Sequence, residues 1–168
     1  MENKIRLYAL PFSDIKTYMI AAIFIAGNII LPQLCHLIPQ GGVTLLPIYF
    51  FTLVGAYKYG WKAGLLTATA SPLINSLLFG MPAAAVLPAI LLKSTLLAII
   101  AGIMAQKQKN ISILSLAIVV MAYQLLGAMG EWAITGSISM ALQDFRIGVP
   151  GMLLQIAGGY FVIKNIIQ

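Results

Sequence analysis

Residues 84–105 read AAVLPAILLKSTLLAIIAGIMA, and QKQKN follows at 106–110 before ISILSLAIVVMAYQLLGAMG at 111–130. A single charge, Lys93, interrupts the first apolar run, and no charge interrupts the second. About 20 mostly apolar residues suffice for a helix to cross about 30 Å of hydrocarbon. Each run meets that length, and the short basic segment between them reads as a loop at one membrane surface. The same pattern extends in both directions. Charges and Gly/Pro clusters divide the chain into apolar segments at about 15–34, 45–57, 63–79, 84–105, 111–130 and 149–163. The expected fold is an all-α integral membrane protein, one transmembrane domain over 1–168 with six spans. The second and third segments are short, and a re-entrant pair is an alternative reading of them.

Composition points the same way. The chain of 168 residues is 61% hydrophobic and 8% charged, with mean hydropathy +0.97. A soluble domain carries about 25% charged residues to hold its surface in water. A secreted domain and a cytosolic enzyme are excluded on that ground, and the lone Cys35 excludes a disulfide scaffold. Ten Lys and Arg against four Asp and Glu give a net charge of +6, and in a membrane protein such an excess first reports orientation. Lys4, Arg6 and Lys16 precede the first span, Lys58 and Lys62 lie in the turn after the second, Lys107 and Lys109 lie after the fourth, and Lys164 follows the sixth. Six spans place all eight on one side and leave Arg146 on the other. Both termini are therefore expected in the cytoplasm of a multi-pass protein of the cell (inner) membrane. No nucleic-acid partner is needed to account for the charge.

The segment before the first span holds Glu2, Lys4, Arg6, Asp14 and Lys16, which reads as an uncleaved anchor rather than a signal peptide. Residues 5–12 mix Arg6 and Tyr8 with apolar side chains, as a stretch lying along the inner interface would. No soluble domain and no nucleotide-binding loop is visible, so the expectation is a protein without an ATPase of its own.

The outer side differs in chemistry. Pro39, Gln40, Gly41, Gly42, Val43 and Thr44 lead to Pro47; Gly80, Met81 and Pro82 lead to Pro88; and Gly148, Val149, Pro150 and Gly151 open the last span. These are helix-start residues, and the N-terminal ends they make favour anionic groups. Any six-span protein with an inner N-terminus shares that arrangement. The polar residues inside spans are more specific. Lys93 lies roughly 10 Å deep, and an intramembrane lysine either serves a function, snorkels to the surface or pairs with an acid. Gln124, Gly127 and Glu131 fall on one helical face, with Tyr123 and Trp132 beside them. Gly127 leaves room there for a ligand or a close helix contact. Glu131 and Trp132 equally suit an interfacial position. Asn75, Ser76 and Gln155 complete the polar set, and Asp144 and Arg146 are near enough in sequence to pair with each other. Gathered toward the outer half, these groups suit a pocket for a small, partly charged solute.

In the first span Ala22 and Ala26 have the small-xxx-small spacing that lets another helix approach, though Ala-rich spans produce it by chance. Metal and catalytic signatures are thin. Cys35 and His36 are one adjacent pair, too few ligands for zinc, and no nucleophile motif frames Ser137 or Ser139. No cofactor is expected.

The chain resembles the S components of energy-coupling factor vitamin transporters, the substrate-binding membrane subunits of those systems. The resemblance covers nearly the whole length. It rests on a short chain of six spans with inner termini, on Ala22-x-x-x-Ala26, and on the GGVTLLP run at 41–47 with the small-residue helix and basic turn at 50–64. It implies high-affinity capture of a vitamin or vitamin precursor from outside and delivery with a transmembrane coupling subunit and two ATPase subunits. It also implies recognition by Asn75, Lys93, Gln124, Glu131, Trp132 and Gln155, residues 41–44 as a lid, and docking through Ala22 and Ala26. The protein would be a transporter subunit and not an enzyme. Lys93 and the helix N-termini lean toward a carboxylate or phosphate, as in pantothenate or a flavin. Glu131 and Trp132 lean toward a cationic ring such as thiamine or its pyrimidine precursor, and a zwitterionic solute would use both. Two other classes stand beside this one: a stand-alone solute transporter or channel with Lys93 and Glu131 as a charge relay, and a structural or assembly subunit whose polar residues bind helices together.

Overall fold

The computed structural model describes residues 6–166. Glu2, Lys4 and Ile5 lie outside the described residues. Among those described, the chain is helical with no strand: α1 (Ile15–Cys35), α2 (Gly41–Leu45), a 3-10 turn (Pro47–Tyr49), α3 (Phe50–Tyr59), α4 (Trp61–Phe79), α5 (Leu87–Gln108), α6 (Ile113–Thr135), α7 (Ile138–Ala141), α8 (Gln143–Ile147), α9 (Val149–Phe161) and a closing π turn (Val162–Ile166). Three of these, α1, α5 and α6, are long and apolar enough to cross a membrane.

Local chemistry explains the boundaries and corrects several of them. The segment expected at 45–57 is not one helix. Leu46 takes a left-handed conformation (φ 47°) and Pro47 follows it. Proline disfavours a helical conformation in the residue before it and is itself at home in a first helical turn, so α2 stops and α3 starts afresh. Gly60 (φ 101°) makes the sharp turn between α3 and α4, a conformation that costs a residue with a Cβ. Helix α5 starts at Leu87 rather than 84, with Pro88 in its first turn. Helix α6 begins on a reciprocal cap between Ser112 and Ser115. It passes Gly130 without ending and stops at Gly136, which takes the left-handed position (φ 68°). Glu131 and Trp132 thus belong to the helix. Gly130 is retained inside it because Leu92 packs where a Cβ would stand.

The core centres on α3, α5 and α6. Leu53, Val54, Tyr57, Leu97, Leu116 and Val119 are fully buried. Small residues bring the backbones together: Gly64 packs on Ala56, and Gly102 on the backbone of Trp61. Outward faces carry Leu77, Leu114, Ile23 and Met129, each more than 60% exposed. In water such a surface would drive aggregation. In lipid such a face is the solvated one, and three of these four residues lie on the apolar helices α1 and α6.

The two ends of the bundle differ. At one end the 6–10 segment runs beside the α3–α4 turn, with Tyr8 N–H donating to the Lys58 carbonyl (2.8 Å) and Leu10 N–H to that of Tyr59 (3.1 Å). Tyr57 Oη donates to the Asn110 carbonyl at 2.9 Å, which ties the α5–α6 turn to the same end. Lys62 and Lys109 line grooves there with Leu10 and Tyr8. The opposite end holds the C-terminal ends of α1 and α6, the start of α5, and the short helices α2, α7 and α8.

Candidate functional site

Lys93 stands on the buried face of α5 and is 3% exposed. It does not snorkel. Its stem crosses α6 at Gly127, where a Cβ would lie 2.5 Å from Lys93 Cγ. The space that glycine opens is thus occupied by the lysine itself. Beyond the crossing, Nζ lies 2.6 Å from Glu131 Oε2 and donates to Asp144 Oδ2 at 2.9 Å. Glu131 is 9% and Asp144 8% exposed. An ammonium removed from water is tolerated where opposite charges replace its hydration, and two carboxylates do so here.

Asp144 is the residue that sequence reasoning placed elsewhere. It does not pair with Arg146, whose Nη1 donates to Ser139 Oγ at 3.2 Å. Helix α8 turns Asp144 inward and Arg146 outward. The Asp144 carbonyl also accepts the Gly148 N–H at 2.9 Å, which anchors the start of α9. A signal for this was available: of the four acids, Glu2 and Asp14 precede the first helix, leaving Glu131 and Asp144 to serve a buried lysine.

The triad borders a cavity of about 150 Å³ lined by Val43, Leu46, Ile48, Tyr49, Val86, Ala89 and Ile90 in addition to the charged groups. Helix α2 lies over it. A second cavity, about 300 Å³ and mostly apolar, shares Gly42, Val43, Ile48, Val86 and Ile90 and reaches His36, Met81 and Pro82. A third, about 480 Å³, shares Val43, Met140 and Gln143 and reaches Arg146 and Ser139. Val43 of α2 lines all three. Both residues flanking α2, Gln40 (φ 58°) and Leu46 (φ 47°), are left-handed, so the helix is a short piece between two sharp bends. Gly151 of α9 packs against the Leu45 carbonyl and braces it.

The other expected site residues separate into distinct places. Gln124 and Gln155 are fully buried and meet at Tyr123: Gln124 Nε2 donates to Tyr123 Oη, which donates to Gln155 Oε1, each at 2.9 Å. Gln124 Oε1 and Gln155 Nε2 have no hydrogen-bond partner among the described residues. The Tyr123 ring packs against Tyr49, a wall of the first cavity, with centroids 5.6 Å apart. This chain therefore adjoins the cavity without lining it. Asn75 lies in a different network, its Nδ2 donating to the carbonyls of Asn28 and Ser71 at 2.9 Å. Asn28 in turn donates to Thr52 Oγ1 at 3.0 Å and accepts the Phe51 N–H at 3.2 Å. Asn75 thus joins α1, α3 and α4 away from Lys93. Trp132 is half exposed and lines none of these three cavities. No third His, Cys, Asp or Glu joins Glu131 and Asp144 into a metal-holding group among the described residues.

Ala22 and Ala26 are both exposed. They form a shallow notch on α1 between Met19, Ile23 and Ile30, which are 61%, 68% and 59% exposed. The close contact inside the bundle uses the neighbouring Gly27 instead, against Phe51.

Compared with known proteins, the chain matches no family model, no curated protein and no solved structure. The fold and the site define the class: among the described residues, an all-helical chain with three membrane-length apolar helices and a buried charged cluster beneath a short helix.

Proposed function

We propose that the chain is a solute-capturing membrane subunit that works with a separate ATP-driven module, in the manner of the S components it resembles. In this reading it crosses the cell membrane six times with both termini in the cytoplasm. It takes up a vitamin or vitamin precursor from outside and delivers it inward with a transmembrane coupling subunit and two ATPase subunits. It performs no covalent chemistry of its own.

The observation that carries the reading is the enclosed Lys93–Glu131–Asp144 cluster with a cavity beside it, beneath α2, at the end of the bundle opposite the basic turns. A cluster that served only to join helices would need no cavity. Placing the basic end in the cytoplasm turns the cavity outward. Polar groups at one end of a mostly apolar cavity provide orientation and specificity for a small solute, and an adjoining cavity of about 300 Å³ provides further volume. The exposed Ala22–Ala26 notch supports association with another membrane helix.

The test is to purify the chain, denature it and identify by mass spectrometry any small solute released, then measure uptake of that solute in proteoliposomes. Binding without ATP, and uptake only when coupling subunits are added, is the expected result. Robust uptake by the chain alone would replace this reading with that of a stand-alone transporter.

A further inference from the structure

The two cavities meeting at α2 and the charge at their junction specify more than a generic solute. We infer that the site takes a small organic cation, an amine-bearing or quaternary solute with a flat apolar body, and discriminates against carboxylates and phosphates. The inference rests on the solute-capture reading above and names the chemical class of its solute.

The charge count comes first. The cluster holds two carboxylates and one ammonium, so in its ionised form it keeps one negative charge in excess. Lys93 is the obvious attractor for an anion, but its ammonium is held between both acids. An anion entering the cavity would meet one attraction and two repulsions at short range, and a cation the reverse. The other nearby charged and titratable groups do not alter the balance at the cluster. Arg146 points to Ser139 and lines the outer cavity, and His36 lines the apolar cavity on the far side of Val43 and Ile48.

Glu131 supplies an independent observation. Its side chain, 12% exposed, lines the cavity, and its Oε2 is held 2.6 Å from the Lys93 ammonium. A carboxylate accepts from more than one donor, and an ammonium or iminium N–H in the cavity provides a further one. Apart from Gln143, the rest of the lining is mostly apolar, chiefly Leu46, Ile48, Val86 and Ile90, with the Tyr49 ring beside them. A volume of about 150 Å³ accommodates one aromatic ring, and the adjoining apolar cavity lies open to a larger body.

The experiment uses the full chain in nanodiscs and three probes of nearly one shape, benzylamine, benzyl alcohol and benzoate, at equal millimolar concentrations. Thermal shift and equilibrium dialysis are the readouts. Benzylamine is expected to bind at least about tenfold more tightly than the alcohol, with no measurable binding of benzoate. Asp144→Asn, which removes the excess negative charge at nearly constant volume, is expected to abolish the preference for the amine over the alcohol. The wild-type series decides the matter even if that variant does not fold. Benzoate binding as tightly as the amine, equal binding of all three, or binding of none overturns the inference. An anionic solute released from the purified chain would overturn the charge class while leaving solute capture standing. Absence of any released solute and of coupled uptake would remove both.

Discussion

At the scale of single residues, Lys93 and Gly127 form one unit. The lysine reaches its acids only because α6 has no side chain at the crossing. Lys93→Ala is expected to destabilise the protein by about 3–5 kcal/mol, because it leaves two buried carboxylates without their counter-charge. A fall in the unfolding midpoint in detergent checks this, and a midpoint equal to wild type would show that the acids do not depend on Lys93. Gly127→Ala is expected to cost about 1–3 kcal/mol and to weaken solute binding, because the new methyl stands 2.5 Å from Lys93 Cγ. Solute affinity and midpoint measured on the same preparation check both effects. The need for a lysine partner was legible in the composition. The identity of Asp144 was not, because sequence proximity favoured Arg146 and only the turn of α8 sends the two side chains in opposite directions.

At the scale of elements, α1 has two faces with separate tasks. Its inner face carries Asn28, fully buried and hydrogen-bonded to α3 and α4. Its outer face carries Ala22 and Ala26. Asn28→Ala is expected to cost about 1–3 kcal/mol, since the Phe51 N–H and Thr52 hydroxyl lose their partner away from water. A drop in the unfolding midpoint without a change in solute selectivity is the expected measurement. Ala22→Leu is expected to do the reverse: it fills the outer notch, weakens association with a coupling subunit in a pull-down, and leaves solute affinity unchanged. Loss of both properties together would mean that this face is coupled to the cavity. The break between α2 and α3 was marked in the sequence by Pro47, but a count of apolar residues passes over it. Proline acts through the conformation of the residue before it, and hydropathy carries no such term.

At the scale of the whole molecule, the basic turns and the charged cavity occupy opposite ends. That separation predicts a labelling pattern. The only cysteine, Cys35, is 7% exposed, so engineered cysteines should report with little background. Ser139→Cys is expected to react with an impermeant maleimide added to intact cells, and Lys107→Cys only after the cells are opened. Equal reaction of both from outside would reject the six-span orientation with cytoplasmic termini.

The helical class, the apolar exterior, the short basic turns and the oddity of a lysine at depth were determined by sequence alone. Each depends on composition summed along a local segment, and segments about 20 residues long carry enough apolar surface to decide it. The tertiary structure decided which polar residues share a site. Glu131 and Asp144 converge on Lys93, Asn75 goes to the α1–α3–α4 junction, Gln124 and Gln155 close on Tyr123, and Trp132 faces outward. The physical reason is that a buried polar group must find its partner within about 3 Å, and packing of helices distant in sequence determines which group lies that close.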